Sequence, residues 1–519
     1  MNESSKKLSK LRIASRQSDL ARLQTETVAK SIREKFPELE IELHFRASLG
    51  DQNQNDPLWK MPEKGVFTED FYQDLVIDKV DLVVHSWKDL PIEEKPETEI
   101  LATLGRHDQR DLFLFKSQNM KSVLASKRLK ILTSSPRRAY NLESFFKNHF
   151  PCELKETQFL NVRGNILTRL QKLMSGDVDA LIVAKAALDR LLSTSDPQYL
   201  TGQKTIVEIL KMCRWMCLPL THNPSAAAQG ALAIEAKRNS PWRKYLMNIH
   251  DSECFKNVIR EREVLAQYGG GCHQKIGVSV LTRPFGEVCF LKGLTDKAEI
   301  LDSVKLKTNK SFDKAKSLNQ VFPQNLKDSK FFSRHCLKNI EQDAALKDRF
   351  IWVAREEALP EKFQPSNEQM LWTSGLKTWS KLAKRGIWVN GSAESLGESE
   401  DPRIEELVSI DQGPLRKKLK WTKLTHEQGF QNPEMKFLAT YRLVPNEVKL
   451  DLQSITHFFW SSGSGFDYVL ARFPQIKSAW HFCGPGHSFE HIKNSLGSDE
   501  KLRICLSHED WLKQVVSIC

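Results

Sequence analysis

Apolar positions along this chain follow two alternating rhythms, a period near two and a period near 3.6. "RIAS" (12–15) reads as a short strand, and Ser18 is placed to cap the helix that follows, "DLARLQTETVAKSIREKF". In that helix Leu20, Leu23, Val28 and Ile32 fall near one face. "IELHFRA" (41–47) alternates as a strand does. Thr68 can cap "EDFYQDLVIDK", which leads into the apolar strand "DLVVH" and then "SWKDLP". After a turn-rich link at "LGRHDQRD" the cycle repeats. "LKILT" is a strand, "SSPRRAYNLESFF" opens a helix, and "GNILTRLQKLMSG" is a helix leading to the strand "DVDALIVAK". Such alternation predicts α/β units with mostly parallel sheets, arranged as two similar lobes with any ligand at the strand carboxyl ends between them.

A third region opens with a helix over "CFKNVIREREVLAQYGGGC" and continues with the strand-like "IGVSVL" and "EVCFLKGL". The polar stretch "NKSFDKAKSLNQVFPQNLKDSK" (309–330) reads as a loop or linker. "RFIWVA" then begins a last block that runs to Cys519.

Composition narrows the classes. At 519 residues several domains are expected, and 40% hydrophobic with 27% charged residues is globular rather than fibrous or disordered. No apolar run is long enough to span a membrane, the start has no signal-like apolar core, and the ten cysteines are scattered, so a cytoplasmic protein is expected. Cys213 and Cys217 have loose ligand spacing without a second pair, so core packing is expected and no metal. The net charge of +12 implies an acidic partner. Nucleic-acid signatures are missing, and the pointed basic residues are single arginines at turns, which favours a polyanionic small molecule.

Four constellations fall at strand ends. In "SRQSDLA", Arg16 and Ser18 sit where a strand enters a helix, a place that favours an anion. In "TSSPRR", with Ser135 as cap and Pro136 at the first helical position, Arg137 and Arg138 put positive charge at the positive end of a helix. That arrangement calls for an anion or a partner carboxylate, and arginine's planar fork suits either. "NVRGNILTRL" repeats the device with Arg163, Gly164, Asn165 and Arg169. "VVHSWKDLP" ends a buried strand on Ser86, Lys88 and Asp89, where a lone carboxylate among cations suits proton transfer or stabilisation of a transient cation. His85 reads as a core histidine. "QYGGGCHQKIG" sets Cys272 behind three glycines, either an ordinary turn or a pliant arm that presents the sulfur.

Taken in order, "RIASRQSDLA", "PLWKMPEKGVFTEDF", "DLVVHSWKDLP", "TSSPRR", "VRGNILTRL", "AQGALAIE" and "GGGC" resemble the hydroxymethylbilane synthase (porphobilinogen deaminase) family over about residues 11–345. The resemblance implies two periplasmic-binding-protein-like lobes and a small α+β domain carrying the cofactor cysteine. The implied boundaries are 1–104 with 205–238, then 105–204, then 239–345. It also implies a dipyrromethane cofactor held by a thioether at Cys272, on which four porphobilinogen units are joined with loss of ammonia, and a monomer without nucleic-acid or membrane partners. Asp89 would assist loss of the amino group. Lys88, Ser86, Arg137, Arg138, Ser134, Ser135, Arg163 and Asn165 would hold the cofactor. Arg16, Ser18, Arg169, Arg190, Lys60, Lys64, Phe67 and Gln229 would hold substrate. A primer of two rings plus four more brings about twelve carboxylates, each costly to bury unpaired, so many cations are needed. Leu132, Ala187 and Ala228 stand where the family has glycine, and Gly269 where it has an acidic residue. The rival reading is a non-catalytic two-lobed anion-binding module.

The last region, 350–519, is expected to be a C-terminal α/β domain. "GIWVNGSAESLGE", "ATYRLVP", "THFFWSSGSGFDYVL" and "HFCGPGHSFEHIKNSLG" resemble a shortened uroporphyrinogen-III synthase. That resemblance implies Tyr441 as the matching tyrosine, loops around Ser462 and Gly484 facing substrate, and an optional second activity.

Overall fold

The computed structural model describes residues 9–47, 68–269, 274–338, 340–410 and 419–516. The expected alternation is realised from the first element. Strand β1 (Lys10–Arg16) is followed by α1 (Asp19–Lys35), whose cap is the Ser18 side chain accepting from the Ala21 amide. Next come β2 (Glu40–Arg46), α2 (Glu69–Val76), β3 (Leu82–Ser86) and β4 (Thr98–Ala102). Thr68 takes the N-cap position of α2, but its side chain does not close the cap. "SWKDLP" is not extended: Trp87–Asp89 forms a 3₁₀ turn directly after β3, anchored by the buried Trp87.

The second cycle comprises β5 (Asp111–Lys116), β6 (Arg128–Leu132), α3 (Pro136–His149), β7 (Glu156–Leu160), α4 (Ile166–Ser175), β8 (Ala180–Ala184), α5 (Lys185–Ser193), α6 (Leu200–Lys211) and β9 (Cys213–Cys217). Ser135 caps α3 with Pro136 in its first turn, and Asn165 caps α4. The chain then returns to the first sheet as β10 (Leu232–Lys237).

The two five-stranded sheets share one plan, β2-β1-β3-β10-β4 and β7-β6-β8-β5-β9. In each, three parallel strands lead and the fourth runs antiparallel. The chain passes between the sheets twice, through residues 103–110 and 218–231. His85 is a core histidine as expected, 2.8 Å from Glu235 on β10.

Helix α7 (Ser252–Ala266) precedes a three-stranded antiparallel sheet of β11 (Gly277–Arg283), β12 (Gly286–Leu294) and β13 (Ile300–Lys307). The boundary expected at 345 does not coincide with a change of sheet, because that sheet ends at Lys307. The stretch expected to be a linker contributes β14 (Val321–Phe322), which pairs with a C-terminal strand, and Ala315 bridges to Val516. Two apolar residues within so polar a segment leave no periodicity to read, and only their partners make them a strand.

The remainder forms two further sheets. The six-stranded one, β15-β20-β19-β16-β17-β18, contains β15 (Phe332–Cys336), β16 (Phe350–Val353), β17 (Met370–Thr373), β18 (Gly391–Ser392), β19 (Trp421–His426) and β20 (Met435–Pro445). The four-stranded one, β14-β21-β22-β23, adds β21 (His457–Trp460), β22 (Trp480–Cys483) and β23 (Leu502–Ile504).

The six-stranded sheet does not stand apart from the second five-stranded sheet. One hydrophobic cluster runs from Phe113, Phe145 and Met216 to Trp379, Trp388 and Leu424, and another from Leu114 and Trp215 to Trp352 and Trp421. The Trp388 indole and the Asn390 amide both donate to the Trp215 carbonyl, and the Cys217 amide donates to the Asn390 carbonyl. Cys213 and Cys217 lie on β9 within this packing, and no group of three potential metal ligands occurs among the described residues. No helix among them is long and apolar enough to cross a membrane.

Candidate active site

The ends of β1 and β3, the starts of α4 and α5, and the loop before β10 converge on a cavity of about 600 Å³. Arg16 and Ser18 reach it from the first strand–helix junction, and Ser86, Lys88 and Asp89 from the second. The second five-stranded sheet contributes Arg138, Arg163, Asn165, Arg169 and Arg190, and the 229–231 loop contributes Gln229. Strand carboxyl ends and helix amino ends meet here, which is where open α/β sheets bind ligands.

Six lining residues are cationic, Arg16, Lys88, Arg138, Arg163, Arg169 and Arg190, against two carboxylates, Asp19 and Asp89. Burial, followed by Arg138 and Arg163, pushes Arg169 down to about 10. Burial likewise takes Arg190 to about 10. Lys88 is lowered by burial and then by Arg138 and Arg137, against the opposing pull of Asp89 and Asp111. Loss of water is the first cause for all three, and the opposite charge of an entering carboxylate offsets that loss. Among the described residues the Asp89 carboxylate has no hydrogen bond or ion pair to a side chain, although it acts electrostatically on Lys88 and Arg169.

Several expected site residues have other partners. Arg137 does not line the cavity: its guanidinium is buried on Asn223 Oδ1, the Pro224 carbonyl and Asp111. The partner carboxylate that the "PRR" pair calls for is therefore Asp111, which also takes a two-pronged bond from Arg138 at 2.6 and 3.0 Å. Ser134 exchanges hydrogen bonds with the backbone of Val162, and Ser135 is the α3 cap. Arg190 lines the cavity while donating to the Gly230 carbonyl, and Arg169 does so while donating to that of Gly164. Lys60, Lys64, Phe67 and Cys272 lie outside the described residues.

Other groups escaped the sequence reading. Gln24 projects from α1 to hold the Ser86 hydroxyl, and Tyr199, bonded to Glu26 at 2.9 Å, lines the cavity beside Gln203. Asp111 had a signal: an acid heading the apolar run "LFLF" must find partners to be buried. Among the substituted glycine positions, Ala228 adopts φ +67°, a conformation that favours glycine, whereas Leu132 and Ala187 do not have positive φ. Gly269 has φ +91° and so uses the freedom of its residue type.

A family model described as "Porphobilinogen deaminase, dipyromethane cofactor binding domain" matches residues 11–243, which contain every described residue lining this cavity. The porphobilinogen deaminase of Caldicellulosiruptor saccharolyticus is 33% identical over 271 residues, 52% of this chain and 84% of the relative. That of Clostridium beijerinckii is 34% identical over 274 residues (52% and 84%), and that of Synechococcus sp. strain CC9605 is 33% identical over 292 residues (55% and 83%). This chain belongs to the porphobilinogen deaminase family. The cavity lies in the part that porphobilinogen deaminases share, and its donor set fits the family's cofactor: a dipyrromethane bears carboxylates, and the excess cations are those that carboxylates would pair.

The C-terminal sheets meet at their strand ends. Glu398, beyond β18, pairs with His487, beyond β22, at 3.2 Å, and His487 stacks on Phe430, beyond β19. Tyr441 is 2% exposed on β20, Ser462 caps the helix Gly463–Leu470, and Gly484 has open space where a side chain would project.

Proposed function

We propose that this protein joins porphobilinogen units head to tail on a dipyrromethane attached through Cys272, releasing one ammonia for each unit added. Asp89 facing a cavity lined by six cationic side chains and one other carboxylate is the observation that carries the reading. The dipyrromethane, when bound, supplies the free pyrrole carbon to which the first new methylene is joined. Arg138, Arg163, Asn165, Lys88 and Ser86 hold its acetate and propionate groups, and Arg16, Ser18, Arg169 and Arg190 hold those of the incoming unit, whereas both amide hydrogens of Gln229 are already given to Asp111 and the Gln109 carbonyl. Asp89 accepts a hydrogen bond from the pyrrole N–H of that unit and stabilises the positive charge that develops as ammonia leaves. The cations are spread over both five-stranded sheets, so carboxylates can be exchanged between them as the chain grows. Domains follow the sheets, with the chain returning to the first at β10, and the protein acts as a monomer in the cytoplasm.

Intact-protein mass tests the assignment. Protein made in cells supplied with porphobilinogen carries the added mass of two pyrrole rings, and Cys272→Ser does not. An unmodified parent that leaves porphobilinogen unconsumed rejects the reading in favour of a binding module.

A second reading concerns the region 350–519, which resembles uroporphyrinogen-III synthase and whose two sheets also take in β14 and β15. The strand-end loops of its two sheets approach each other at Glu398, Phe430 and His487, leaving Gly484 toward open space, as expected of a ligand cleft between two α/β units. Product identity decides it: a working unit gives mainly the type III ring from porphobilinogen, and an inactive one the type I ring formed by spontaneous closure.

A further inference from the structure

Asp111 begins β5 and is fully buried, outside the cavity lining. Five hydrogen bonds converge on its carboxylate. Oδ2 accepts from Arg137 at 2.8 Å, from Arg138 Nε at 3.0 Å and from Asn223 at 2.8 Å, while Oδ1 accepts from Arg138 at 2.6 Å and from Gln229 at 2.8 Å. Two of these partners, Arg138 and Gln229, line the site.

The orientation of the Gln229 amide is decided by its surroundings. Its nitrogen donates to Asp111 Oδ1 and to the Gln109 carbonyl, both at 2.8 Å. Turned over, it would set its oxygen against two acceptors. The oxygen is therefore left to accept from Lys88 Nζ at 3.2 Å, and Lys88 is the neighbour of Asp89. A continuous chain thus runs from Asp111 through Gln229 to Lys88.

We infer that Asp111 is a positioning residue for the deaminase reaction, fixing Arg138 directly and Lys88 through Gln229 in the arrangement that receives the carboxylates of the pyrrole chain beside Asp89. This rests on the deaminase reading of the cavity. Asp111 also sets the charge there. Lys88 faces Asp89 on its own turn, Asp111 on β5, and Arg137 and Arg138 on α3. Removing the Asp111 charge leaves two arginines acting on Lys88 unopposed by their own partner, so the lysine loses its proton at lower pH.

The test is kcat and KM for porphobilinogen across pH in the cofactor-loaded parent, Asp111→Asn and Gln229→Met. Gln229→Met keeps the Asp111–arginine pairs, removes the amide that joins Asp111 and the Gln109 carbonyl to Lys88, and is expected to raise KM and lower kcat/KM about tenfold, the weight of one hydrogen bond to a charged group. In both variants the alkaline limb of kcat/KM moves to lower pH, further in Asp111→Asn. A purely structural Asp111 would instead lower the unfolding temperature of Asp111→Asn while Gln229→Met kept the parent KM and alkaline limb, and that result overturns the inference. If Asp111→Asn does not fold, the Gln229→Met profile alone decides. A parent that does not consume porphobilinogen sinks the deaminase reading itself and takes this inference with it.

Discussion

Arg106 and Glu261 form a two-pronged ion pair at 2.7 and 2.8 Å, joining the first passage between the five-stranded sheets to the helix that leads into the glycine-cysteine segment. Glu261 is wholly buried and also accepts from the amides of Ala228 and Val280, each at 2.7 Å. Four donors on one carboxylate tie the first passage, the loop before β10, α7 and β11 together. Glu261→Ala leaves a buried guanidinium and two amides without their acceptor. The expected cost is about 3–5 kcal/mol, read as a lower denaturant midpoint, whereas simultaneous replacement of Arg106 costs little more.

Asp89→Asn keeps size and polarity but removes the charge. Turnover is expected to fall about 100- to 10,000-fold with the melting temperature close to the parent's, since no side chain among the described residues bonds the carboxylate. Near-parent turnover would remove Asp89 from the role proposed for it.

Trp388, in the loop that leads into β18 of the six-stranded sheet, packs on Phe113, Phe115 and Phe150 of the second five-stranded region, with ring centroids 5.7–6.4 Å away. Trp388→Ala is expected to cost about 3–5 kcal/mol. The deaminase activity should be lost at a correspondingly lower temperature, which a thermal inactivation curve measures. If the C-terminal region were merely appended, deaminase inactivation would be unchanged.

His481 is fully buried on β22, with Nδ1 accepting from the Trp460 indole and Nε2 facing the Ile476 carbonyl at 3.0 Å. Burial pushes it down to about 4, against an ordinary value of 6.5. The unfolded chain binds this proton more readily, so stability is fully present above pH 6.5. It declines as pH falls toward 4 and loses no more below that. The loss amounts to about 3 kcal/mol. Equilibrium unfolding between pH 7 and 4 should show the decline, and His481→Gln, which does not titrate, should flatten that part of it.

Much of the site was legible because its residues are local punctuation. Ser18, Ser135 and Asn165 cap helices, and the arginines beside them stand at strand–helix junctions whatever the rest of the chain does. The motifs carried their order but not their partners. Arg137 and Arg138 looked alike in sequence, yet one is buried away from the cavity and the other lines it, because successive residues on a helix point in different directions. Gln24 and Tyr199 left no trace, being ordinary residues made relevant only by the helix faces they occupy.

The sequence by itself determined the local elements, the alternation of strands and helices, the family, and the cations and the carboxylate Asp89 placed at strand ends, since caps, periodicity and turn residues act over a few neighbours. Only the tertiary structure decided which groups would share a charge. Asp111 finds Arg137, Arg138, Asn223 and Gln229 from 26 to 118 residues away, and a polar stretch around Val321 becomes a sheet edge by pairing with His457 and Phe458. Long-range pairing is driven by burial, in which a carboxylate must meet donors and an edge strand its partner, and no local pattern records where they will come from.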